Sequence, residues 1–95
     1  MTQLDTVREQ IEEIDLEIIS LIKKRVDMAD DVLKLKQQDG LPINNEEQNK
    51  VVLKRACEVS TELNLDCEAI KRIFQILIQM NIDRQHEMSG EGNLP

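Results

Sequence analysis

Ninety-five residues make one small domain with a thin core, and with a single aromatic residue, Phe74, that core must be aliphatic. A net charge of -7 argues against nucleic acid or an anionic membrane as the main partner, so cations that bind an anion must be concentrated locally. No apolar run is long enough to span a bilayer, and the N-terminus lacks cationic, apolar targeting character. The chain reads as cytoplasmic, with Cys57 and Cys67 expected as free thiols in a reducing compartment.

Residues 4–38 form the first predicted helix. Apolar residues recur at Leu4, Val7, Ile11, Ile14, Ile18, Leu21, Met28, Val32 and Leu35, a heptad seam with no Pro or Gly inside it. At 1.5 Å rise per residue such a helix is roughly 50 Å long. Thr2 or Asp5 caps it, acidic residues precede basic ones along it, and Gly40 followed by Pro42 ends it. Where the seam calls for a hydrophobe between Leu21 and Met28 stands Arg25, a guanidinium costly to bury unless something anionic meets it.

Leu41, Pro42 and Ile43 make a short link that packs back on the bundle. Asn44 or Asn45 caps a second helix with Val52, Ala56, Val59 and Leu63 as its stripe. Asp66 caps a third, with Ile70, Ile73, Phe74, Leu77 and Ile78 buried. Residues 1–88 thus form one all-α domain, and the Gly- and Pro-containing tail 89–95 is expected to be disordered. Two short helices cannot cover so long a partner, so the chain is expected to form an intertwined homodimeric bundle of one long and two shorter helices per subunit.

Arg25 and Lys36 are eleven residues apart, three helical turns, and therefore share a face. Arg8 lies one residue off the seam, while Asn81 and Gln85 continue the buried stripe of the third helix. Taken singly, each has a structural reading: a snorkelling Arg, a lysine at a helix C-terminus, a register-fixing Asn. Together they line the inside of a bundle with donors that suit a small molecule carrying two carboxylates and neutral oxygens. His86 has no metal-ligand partner at the right spacing, and neither zinc spacing, a phosphate loop nor a nucleophile–base pair occurs.

Several fragments in this order carry a resemblance: Val7-Arg8-Glu9-Gln10-Ile11 with Ile14-Asp15, Ile22-Lys23-Lys24-Arg25, Leu35-Lys36, Gly40-Leu41-Pro42-Ile43, and the stretch from Ile73 to Ile78. The chain resembles the all-helical chorismate mutases (AroQ class), intertwined dimers of three-helix chains. The resemblance implies a Claisen rearrangement of chorismate to prephenate, serving phenylalanine and tyrosine biosynthesis, with no metal, cofactor or covalent intermediate. It assigns Arg25 to one substrate carboxylate and Arg8, from the partner subunit, to the other. Lys36 and Gln85 would donate to the ether oxygen, and Asn81 matches a small polar position near the carboxylates. The family usually has Asp, Arg and Glu where this chain has Asn45, Gln48 and Asn49, departures that would reduce activity. Two alternatives stay open: an isochorismate-pyruvate lyase on the same scaffold, and a non-catalytic dimer binding a dicarboxylate or a protein.

Overall fold

The computed structural model describes residues 2–90, and among these it has three helices and no strand: α1 (Gln3–Asp39), α2 (Glu46–Glu62) and α3 (Cys67–Ser89). The all-α reading holds. At 37 residues α1 is about 55 Å long by its rise per residue, and it sets the 56 Å long dimension of the chain.

Local chemistry defines each helix end. Thr2 and Asp5 form a reciprocal capping box, in which the Thr2 hydroxyl accepts from the Asp5 N–H and the Asp5 carboxylate accepts from the Thr2 N–H. Gly40, at φ 67°, takes the left-handed conformation that ends α1, and the Leu41 N–H closes on the Lys36 carbonyl at 2.8 Å. Asn45, rather than Asn44, caps α2 by accepting from the Gln48 N–H. Asn64 supplies the left-handed residue after α2 (φ 59°), with the Leu65 N–H bonded to the Ser60 carbonyl, and Asp66 caps α3. Helix α3 extends through Ser89 with Gly90 as its left-handed cap, so residues 89 and 90 of the expected tail belong to the helix and its end. The remainder of that tail, 91–95, lies outside the described residues.

Helix α3 is the hub, packing against both α1 and α2, while α1 and α2 do not pack on each other directly. Arg25 meets Leu77 and Lys36 meets Gln85, so α1 and α3 run in the same sense and α2 returns between their ends. The face of α1 that α3 covers passes through Ile22, Val26, Ala29, Val32, Leu33 and Lys36, of which Ala29 and Leu33 are buried. The expected seam lies mostly beside this face: Leu21, Met28 and Leu35 are each about 60% exposed in the single chain, as a seam that two short helices cannot cover would be, and within it Val32 is the apolar residue that α3 partly covers. Helix α3 approaches from the side of Arg25, so the heptad positions turned away from it stay open. On α2, Val52 and Ala56 are buried as expected, whereas Val59 and Leu63 are exposed and Ser60 is buried in their stead. Ile73 of α3 is likewise exposed.

The cysteines require a correction. Cys57 of α2 and Cys67 in the first turn of α3 are joined in a disulfide, and no cysteine among the described residues is free. The tight α2–α3 turn brings their Cα atoms to 4.7 Å, inside the range a disulfide needs. Sequence spacing alone did not show that the turn would fold back this sharply. Because the bridge closes a short loop, its removal by Cys57→Ser is expected to cost up to ~3 kcal/mol in the chain-entropy picture. Urea unfolding with and without reductant checks this: reductant should lower the midpoint of wild type but not of the variant.

Candidate functional site

One cavity of about 220 Å³ lies where α1, α3 and the start of α2 converge. Helix α1 contributes Arg25, Val32 and Lys36, and α3 contributes Ile78, Asn81, Ile82 and Gln85. Asn45, Gln48, Asn49 and Val52 close the third side, with Ile43 of the link. Seven of the eight residues expected at a site are therefore brought together: Arg25, Lys36, Asn45, Gln48, Asn49, Asn81 and Gln85. The eighth, Arg8, is not. It lies 17 positions before Arg25 on the same helix, about 25 Å away along the axis, and it is exposed.

The cavity combines an aliphatic wall with cations and amides. Five aliphatic side chains exclude water over part of the lining, and no carboxylate faces the two cations. Neither Arg25 nor Lys36 is in any of the ion pairs among the described residues. Those six pairs are local, between residues three or four apart, and join other cations to carboxylates. In a chain of net charge -7 this is a selective arrangement. The unneutralised positive charge sits where a small anion fits.

A short hydrogen-bond chain fixes these groups. Arg25 donates one N–H to the Leu77 carbonyl at 3.0 Å, and Asn81 donates to the Arg25 carbonyl at 3.4 Å. Gln85, only 1% exposed, donates to the Asn81 side-chain oxygen and accepts from the Lys36 ammonium at 3.3 Å. Lys36 also donates to the Ile43 carbonyl. An ammonium has three N–H groups and a guanidinium five, so these contacts leave one donor on Lys36 and four on Arg25 unused by the protein. Gln85 likewise keeps one amide N–H beyond the one given to Asn81. On α2, Asn49 donates to Asn44 at 2.9 Å, which leaves its carbonyl oxygen as an acceptor at the cavity wall.

Burial lowers the Lys36 ammonium below the ordinary lysine value. The Arg25 guanidinium is lowered as well, first by burial and then by the positive charge of Arg55. Burial acts on both cations, and Arg25 alone also feels a neighbouring positive charge.

Two features of the site were not legible beforehand. The Ile43 carbonyl anchors Lys36, and the backbone of a link carries no sequence signal for that. Arg55 stands seven residues after Gln48, nearly two helical turns, and that spacing was the signal available for placing it on the same side of α2.

No helix among the described residues is long and apolar enough to cross a membrane. Comparison with known proteins places these observations in a family context. Residues 7–86 match the family model of chorismate mutase type II. A chorismate mutase of Methanocaldococcus jannaschii is 40% identical over 79 residues, covering 83% of this chain and 80% of that protein. A bifunctional chorismate mutase/prephenate dehydratase of Buchnera aphidicola is 27% identical over 85% of this chain. A 3-dehydroquinate dehydratase of Pyrobaculum aerophilum is 31% identical over 81% of it. The matched region covers 21% and 22% of those two longer proteins, respectively.

Proposed function

The chain belongs to the chorismate mutase type II family, and on that premise we propose that it rearranges chorismate to prephenate in a cavity completed by a second copy of itself. The observation that carries this reading is the pair of unneutralised cations, Arg25 and Lys36, aimed with amide donors into one small cavity. The rearrangement breaks the ether C–O bond as a C–C bond forms, in one step, so the protein has no bond of its own to make. Its work is to hold two carboxylates in a folded conformer and to stabilise the ether oxygen as that oxygen gains negative charge.

The donors left unused supply these roles. Arg25 presents its free N–H groups to one carboxylate. Lys36, held by the Ile43 carbonyl and Gln85, has one N–H left for the ether oxygen, and Gln85 offers its second amide N–H beside it. The Asn49 carbonyl accepts from the substrate hydroxyl, while Asn45 and Gln48 contribute neutral amides where an ion would bind more strongly. Arg8 reaches the other carboxylate from the partner subunit.

Exposure supports that assembly. Every described residue from 2 to 21 is exposed in the single chain, including Leu4, Val7, Ile11, Ile14, Ile18 and Ile19. An apolar stretch this long needs a cover, and the same segment of a second copy, with its own α2 and α3, supplies one. The cytoplasm is the location that goes with this reading, and persistence of the disulfide there depends on the thiol poise.

The test follows chorismate absorbance with purified protein, alongside Arg25→Ala. Wild type is expected to consume chorismate and release prephenate, and the variant to lose roughly 10²-fold or more in kcat/KM. If wild type leaves chorismate unchanged, the mutase reading fails, and isochorismate is the substrate to try next.

A further inference from the structure

A second cavity of about 310 Å³ lies between α2 and α3, and Arg55 and Phe74 are among its lining residues. It adjoins the first: Val52 and Ile78 line one, and Ala56 and Phe74, a helical turn away on each helix, line the other. Arg25 sits at the step between them, since it bonds the carbonyl of Leu77, between Phe74 and Ile78 in sequence. Arg55 is thus the cation at the same step on α2. It makes no ion pair among the described residues, and Glu58, one turn on, is 3.9 Å from Lys54 instead.

The positive charge of Arg55 acts unfavourably on the Arg25 guanidinium, and neither is in an ion pair among the described residues. An anion bound beside both would relieve that repulsion. We propose that Arg55 is a positioning residue for the mutase site, acting through Arg25. Its charge keeps the step between the cavities positive and so favours Arg25's hold on a substrate carboxylate, without touching the reacting atoms. This rests on the mutase reading above.

The carboxylates keep their charge through the rearrangement, so Arg55 favours bound substrate and transition state alike. Such uniform binding shows in KM and not in kcat. Arg55→Gln is therefore expected to raise KM roughly two- to fivefold at unchanged kcat, the scale of a solvent-screened charge interaction. Arg55→Lys should restore most of the loss, and added salt should narrow the gap between wild type and Arg55→Gln. Lys54→Gln removes the same charge from an adjacent, exposed position outside the site and should match wild type.

The inference is overturned if Arg55→Gln behaves like Lys54→Gln, or if it loses kcat and thermal stability together without rescue by Lys. Calorimetric titration with chorismate separates this failure from that of the mutase reading. Should wild type bind without turning over, weaker binding by Arg55→Gln alone still supports the role of Arg55, and equal binding removes it. If wild type neither binds nor converts chorismate, both readings fall.

Discussion

Lys36→Met is expected to lower kcat for chorismate by roughly 10²- to 10³-fold, the cost of removing one preorganised donor from a developing oxyanion. Methionine keeps the apolar stem and approximate length, so the bundle should fold, and circular dichroism should match wild type. The loss falls on kcat because the ether oxygen carries its extra charge only as the C–O bond breaks. Lys36 acts as the ammonium, so activity must fall as pH rises through its pKa. Burial has moved that value below the ordinary lysine range in the free protein. The alkaline limb of kcat/KM, which reports the free enzyme, should therefore lie lower than an ordinary lysine would give. In the kcat profile the bound dianion should push the same limb to higher pH. Lys36→Met should lack the limb altogether. A variant that kept both its kcat and its alkaline limb would remove Lys36 from the chemistry.

The contrast between what was legible in the sequence and what was not has physical causes. Helix ends depend on local bonds, so Gly40 and Asp66 were readable as caps from residue type alone, and the first cap was narrowed to Thr2 or Asp5, of which the structure has Thr2. The convergence of Arg25 and Lys36 followed from helical spacing, and that of Asn81 and Gln85 from the apolar stripe they continue. The placement of Asn45, Gln48 and Asn49 came from the family resemblance, and the cavity wall is where the structure has them.

Tertiary choices were harder. A heptad pattern says that a stripe wants cover but not which neighbour supplies it. Here α3 lies against Ala29 and Leu33, leaving Leu21, Met28 and Leu35 open. The disulfide depended on how sharply the chain turns after Leu63, which one left-handed Asn64 decides. The amide relay from Lys36 through Gln85 to Asn81 required knowing the register of α1 against α3, which neither helix encodes alone.

Arg8 is the one expected site residue that a single chain leaves outside the cavity, and this makes assembly testable through activity. Arg8→Ala and Arg25→Ala are each expected to be nearly inactive as homodimers, because every site then lacks one carboxylate partner. Mixing the two variants, with unfolding and refolding to exchange subunits, should restore activity. In a mixed dimer the site built on the Arg8→Ala chain keeps its own Arg25 and receives an intact Arg8 from the partner. The other site lacks both. Random pairing makes about half the dimers mixed, each with one good site of two, so recovery should approach about a quarter of wild type. An Arg8 that served its own chain would give no recovery at any ratio, because neither variant would then hold a complete site. Recovery near the expected fraction would tie catalysis to pairing of the exposed α1 segments, since a monomer offers Arg8 no route into the cavity.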